Sequence, residues 1–83
     1  VATNSYISHD VKVEDHVFIG PHVTIGGNSN LKKGCFIGMG AVIMNTTVGE
    51  KSIVGAGSVV INKVPPRVTV VGVPAKIIKR RSY

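Results

Sequence analysis

Residues 6–20 read YISHDVKVEDHVFIG, and the spacing of the apolar residues in this stretch decides the fold. Ile7, Val13 and Ile19 recur at every sixth position. On a helix, which turns about 100° per residue, positions six apart wander round the cylinder and make no continuous face. Plain strand alternation would repeat every second residue. A period of six instead suits a short strand followed by a corner.

The same spacing runs outward through most of the chain. After Ile19 come Ile25, Leu31, Ile37 and Ile43; Val48 follows after five residues, and Val54 and Val60 resume the six. Let this place be i. Place i+4 holds small or β-branched residues: Val11, Val17, Val23, Ser29, Cys35, Ala41, Thr47, Ser52, Ser58 and Val64. Gly stands at i+1 five times, at Gly20, Gly26, Gly38, Gly49 and Gly55. A strand that points i and i+4 inward explains the pattern, with the residues beside i pointing out. The corner falls where Gly, Asn and Asp tolerate unusual backbone angles. Three panels close a coil of eighteen residues, and coils stack about 4.8 Å apart through backbone hydrogen bonds. The expected fold class is therefore all-β, a parallel β-helix of hexapeptide repeats with three to four coils.

Stacking turns the sequence into columns. Ile7/Ile25/Ile43, Val13/Leu31/Val48 and Ile19/Ile37/Val54 form the interior. Phe18, Phe36 and Ile53 form an outward apolar stripe, which suits contact with another subunit or an apolar ligand. Gly20, Gly38 and Gly55 form a bare column with Gly40 and Gly57 at the next corner. Such glycines either let a long ligand lie against backbone or merely satisfy the coil. The repeat is expected over residues 1–64 and a C-terminal cap with a basic tail over 65–83. Pro65-Pro66 and Gly72-Val73-Pro74 punctuate that cap, and a short helix is expected from Ala75 to Arg81.

Bulk properties narrow the function. At 83 residues the chain is one small domain, and its start at Val1 reads as the middle of a longer protein whose N-terminal domain lies elsewhere. Cys35 is the single cysteine, so no disulfide framework exists, and a cytoplasmic location is expected. No apolar run is long enough for a membrane helix. The net charge of +6 is concentrated at Lys76, Lys79, Arg80 and Arg81, yet two Phe and two Tyr are too few and scattered to stack nucleic-acid bases. Neither nucleic acid nor membrane is expected as a partner.

The adjacent His9-Asp10 pair is the candidate chemistry. Both fall at a corner, and Gly27 comes one coil later beside His9, leaving space for a reacting group. An imidazole suits proton transfer near neutral pH, and a neighbouring carboxylate can fix its tautomer. His16 and His22 also fall at corners and read as surface residues.

The segments SHDVKVEDHVFIG, GGNSNLKKGCFIGMGAVI, VGEKSIVGAGSVV and VVGVPAK resemble the C-terminal domain of hexapeptide-repeat acetyltransferases. The group is the sialic acid O-acetyltransferase and UDP-4-amino-sugar N-acetyltransferase type, and the likeness runs from about Ile7 to Ile78. The resemblance implies a left-handed coil, acetyl-CoA as co-substrate, a sugar or sugar-nucleotide acceptor, no metal, and a homotrimer with sites between subunits. It also implies that His9 is the general base oriented by Asp10, and that Gly27, Met39 and Ala56 contact acetyl-CoA. The basic tail would meet the CoA phosphates. The family commonly has a second His nine residues after the first, where this chain has Phe18. Two other readings compete. One is a non-catalytic trimerisation module of a larger protein. The other is a zinc site of the γ-class carbonic anhydrase kind, which would need His9, His16 and His22 to converge from different corners.

Overall fold

The computed structural model describes residues 4–80. Every regular element among them is a strand. Ten strands of two residues come first: β1 (Tyr6–Ile7), β2 (Lys12–Val13), β3 (Phe18–Ile19), β4 (Thr24–Ile25), β5 (Asn30–Leu31), β6 (Phe36–Ile37), β7 (Val42–Ile43), β8 (Thr47–Val48), β9 (Ile53–Val54) and β10 (Val59–Val60). Two longer ones follow, β11 (Val68–Gly72) and β12 (Ala75–Arg80). They form three parallel sheets, β1-β4-β7-β10, β2-β5-β8 and β3-β6-β9-β11, with β12 added antiparallel to β11. The fold is a left-handed parallel β-helix of about four turns, the coil expected from the period with the hand that the resemblance implies.

Register follows the columns. Ile7, Ile25, Ile43 and Val60 stack in one sheet. Ile19, Ile37, Val54 and Val70 stack in another. Val13, Leu31, Val48 and Val64 make the third column. Ile25, Leu31, Ile37, Ile43, Val48 and Val54 are fully buried. Each contributes about 1.5–3 kcal/mol relative to an exposed side chain, and this stabilises a coil whose strands are too short to hold alone. The first coil is more open. Val13 is 47% exposed, because no described residue stacks above it.

Two expectations change. The reading that puts Val64 at i+4 is replaced: Val64 takes an i place under Val48, and Val68 and Val70 follow as the i+4 and i of a further panel. The corner between Val60 and Val64 is two residues short, which hides the continuing repeat from a period-six count. The second correction concerns Ala75–Arg81. Residues 75–80 form β12, not a helix, and Arg81 lies outside the described residues. The edge of β11 has backbone groups that need partners, and a hairpin strand with Ile77 and Ile78 supplies them.

Buried serines accept from backbone N–H groups of the next coil. Ser29 Oγ accepts from Thr46 N–H (3.2 Å) at the corner that lacks one residue. Ser52 Oγ accepts from Val68 N–H (3.2 Å), and Ser58 Oγ accepts from Gly72 N–H (3.1 Å). Cys35 fills the same inward place at a regular corner. Burial, with a smaller push from the charge of Glu14, drives its thiol up to about 12.

Candidate active site

The three sheets leave three columns of corners, and each builds its own surface. The residue at i+3 is left-handed at nearly every one, with φ of 58° at Asp10, 62° at Asn28, 58° at His22, 57° at Lys51 and 57° at Arg67. Left-handed backbone costs a non-glycine residue about 1–2 kcal/mol, which coil stacking offsets here.

The corner after β1 carries His9 and Asp10. His9 Nδ1 lies 3.2 Å from Asp10 Oδ2, and both side chains are largely exposed. A hydrogen on Nδ1 donates to the carboxylate, and Nε2 then keeps its lone pair for an incoming proton. One coil below, Asn28 N–H donates to His9 carbonyl oxygen (3.1 Å), which pins the backbone of the pair. Gly27 sits against the ring. A Cβ there would lie 3.0 Å from both Cε1 and Nε2 of His9. The absent side chain is therefore what lets the imidazole take this pose. His9, Asp10 and Gly27 come together as the sequence suggests.

Met39 and Ala56 lie elsewhere. They occupy the corner after β6 and the corner after β9, one above the other, joined by Gly57 N–H donating to Met39 carbonyl oxygen (2.8 Å). The β1-β4-β7-β10 sheet lies between this corner and the His9 corner within one chain. The N–H groups of Met39 and Ala56 have no acceptor among the described residues. Both residues are exposed. An unpaired pair of N–H donors beside open space can hold carbonyl groups of an extended ligand.

The glycines divide into two kinds. At Gly20 an added Cβ would meet Met39 N at 3.0 Å, and at Gly38 it would meet Ala56 N at 2.8 Å. Those glycines are packing requirements of the coil. Gly40 and Gly57 differ: a Cβ on Gly57 meets nothing within 4 Å, and one on Gly40 meets only Gly57 N at 3.9 Å. The bare ledge is at Gly40 and Gly57. His22, read from sequence as a surface residue, stands one coil above Gly40 on the same column. The register of eighteen and then seventeen residues from His22 to Gly40 to Gly57 was the signal that could have found it.

Phe18, Phe36 and Ile53 align as expected on the outer face of β3, β6 and β9. The two rings stack with centroids 4.6 Å apart and planes 14° from parallel, and both stay about half exposed. His9, His16 and His22 sit on three different corners, and among the described residues no group of three metal-ligating side chains comes together. A shallow recess of about 560 Å³ lies on the second sheet, lined by Glu14, Lys32, Thr47, Glu50, Lys63 and Pro66. It is remote from both corners, and Lys32 already pairs with Glu14 at 3.5 Å.

Fold and corners together define a hexapeptide-repeat β-helix of the acetyltransferase kind. The chain belongs to the family described as the GMPPB C-terminal domain, which matches residues 1–79. Similar solved structures are acetyltransferases. A perosamine N-acetyltransferase from Caulobacter crescentus, a variant with one histidine replaced by asparagine, in complex with CoA and GDP-perosamine, is 34% identical with a TM-score of 0.90, over 92% of this chain and 37% of that one. The acetyltransferase domain of PglB from Neisseria gonorrhoeae, in complex with acetyl coenzyme A, is 35% identical with a TM-score of 0.91, over 94% and 38%. A serine acetyltransferase from Brucella abortus is 40% identical with a TM-score of 0.86, over 93% and 35%. The chain thus spans little more than a third of the length of these neighbours. No curated protein sequence matches it.

Proposed function

We propose that this domain transfers an acetyl group from acetyl-CoA to an amine or hydroxyl of a sugar or sugar nucleotide. The observation that carries the reading is the His9–Asp10 pair set against Gly27, on a fold whose neighbours hold CoA. Acetyl-CoA supplies the acetyl group as a thioester. His9 Nε2 accepts the proton of the acceptor nitrogen or oxygen as that atom bonds to the acetyl carbon. The carbon–sulfur bond breaks, and His9 returns the proton to the departing thiolate. Asp10 holds the ring through Nδ1. The N–H groups of Met39 and Ala56 hold the extended arm of acetyl-CoA along the Gly40/Gly57 ledge, and Lys76 and Lys79 on β12 suit its phosphates.

His9 and the ledge occupy different corners of one chain, so the site is completed between copies. We propose a homotrimer in which the His9 corner of one chain faces the ledge of the next, with the Phe18/Phe36/Ile53 stripe as a contact face. The GDP-perosamine bound by one neighbour supports a nucleotide-sugar acceptor. The test is His9→Ala. Acetyl transfer should fall by a factor on the order of 10²–10⁴, while acetyl-CoA binding and oligomer size stay as in the wild type. Undiminished transfer would remove His9 from the chemistry.

A second reading is a non-catalytic assembly module. It is favoured by a family description that names a domain's position in a longer protein and no reaction. On that reading the Phe18 and Phe36 stripe still assembles the chain, and no acetyl-CoA binds.

A further inference from the structure

His22 heads a ledge that the rest of the chain does not account for. Gly40 and Gly57 are left-handed, with φ of 73° and 71°, but that conformation does not demand glycine in this molecule. Lys51 and Arg67 take it at the corner after β8 and after Val64, and Asn28 takes it below Asp10. Packing does not demand glycine either, since an added Cβ at Gly57 would meet open space. Backbone and packing both leave the bare ledge unexplained, which points to something outside the chain lying against it. Its lower end is closed by the turn between β11 and β12, where Gly72 has φ of 104° and Val73 is exposed. At its upper end His22, with Asn4 one coil above it, carries the side chain nearest Gly40 on that column.

Height along the coil axis fixes what each end meets. His9 and His22 lie in the same, first coil. Gly40 and Gly57 lie one and two coils lower, so the ledge spans roughly 10 Å at about 4.8 Å per coil. Lys76 and Lys79 lie lower still, paired with Val71 and Thr69. A ligand with an anionic end and a reactive end therefore puts its anionic end towards the lysines and its reactive end at the level of the two histidines. Copies related by rotation about an axis along the coil keep these heights, so a neighbour's His9 stands within one coil's rise, about 4.8 Å, of His22.

We propose that His22 contacts acetyl-CoA at its acetyl end and donates a ring N–H to the thioester carbonyl oxygen. This rests on the acetyltransferase reading and adds a second imidazole to it. As the acceptor bonds to the carbonyl carbon, the carbonyl π pair moves onto that oxygen, and the His22 hydrogen bond stabilises the charge. When the carbon–sulfur bond breaks the carbonyl re-forms, and the electron pair and proton leave on the CoA sulfur. His22 takes no proton in the cycle.

The test is His22→Gly, which removes the ring and suits the left-handed backbone. Acetyl transfer and calorimetric binding are measured on wild type, His22→Gly and His9→Gln. The expected result is that His22→Gly lowers kcat by at least about tenfold, towards the hundredfold known for loss of an oxyanion donor. CoA lacking the acetyl group binds it as tightly as wild type. Wild type active, His9→Gln inactive and His22→Gly within twofold of wild type would overturn this inference alone. Equal weakening of CoA and acetyl-CoA by His22→Gly would also overturn it, because the ring would then serve the arm and not the acetyl end. No acetyl-CoA binding by wild type would overturn the underlying reading and this inference with it.

Discussion

At the scale of the residue, Gly27 is the most informative position. Its φ is not in the left-handed region, so alanine is allowed by the backbone, and the only close neighbours of the new Cβ are His9 atoms. Gly27→Ala should leave the melting temperature nearly unchanged, since the flexible ring can move aside. It should cut acetyl transfer at least about tenfold, because an imidazole displaced by even an ångström loses its reach. Activity equal to wild type would mean that the pose of His9 does not matter. Cys35 makes a second prediction. Burial pushes its thiol up to about 12, well above the ordinary cysteine range, so the folded state holds the proton more tightly. Its contribution to stability is complete below pH 9 and is lost as the pH rises towards 12. Cys35→Ala should flatten that alkaline loss in denaturant titrations, and the native thiol should resist alkylation at neutral pH.

Elements show which parts of the coil could be read from residues and which could not. The inward columns were legible because Ile25, Leu31 and Ile37 repeat at an unbroken six. The continuation to Val70 was not, because a corner two residues short shifts Val64 from the expected i+4 place into i. The shifted Val64 is held by backbone bonds to Thr47 and Gly49, and the next corner by Ser52 Oγ accepting from Val68 N–H, a contact sixteen residues away that no local pattern announces. The strand at 75–80 was misread for a similar reason: Ala-Lys-Ile-Ile-Lys-Arg is neutral between states, and the open edge of β11 decides. The two glycine columns look alike in sequence and separate only by what surrounds a missing Cβ. Gly38→Ala should destabilise by about 1–3 kcal/mol, since backbone of the coil below cannot yield. Gly57→Ala should cost no more than about 1–2 kcal/mol for its left-handed angle, yet weaken acetyl-CoA binding. Thermal melts and binding measured on both variants check this; acetyl-CoA binding by Gly57→Ala as tight as wild type would make the ledge mere geometry.

Across the whole molecule, the prism sets the His9–Asp10 pair and the proposed acetyl-CoA contacts at Met39 and Ala56 on different corners. The pairing of His9 with Asp10 and Gly27 was visible in the sequence, because the eighteen-residue register of the first two coils is intact. That Met39 and Ala56 lie round the prism from His9 was less visible, since it follows from how many panels separate them and not from any motif. His22 was passed over because a lone histidine at a corner looks like solvated surface until the bare column beneath it is seen. On the proposed function, a site divided in this way would make assembly part of the chemistry, and the stacked Phe18 and Phe36 rings offer an apolar face for it.

Capture of acetyl-CoA by this fold is the central claim. Calorimetric titration of the domain with acetyl-CoA should give a saturable isotherm approaching one ligand per chain, lost when Gly57 carries a side chain. A flat trace at millimolar acetyl-CoA, from a folded and assembled sample, would contradict it.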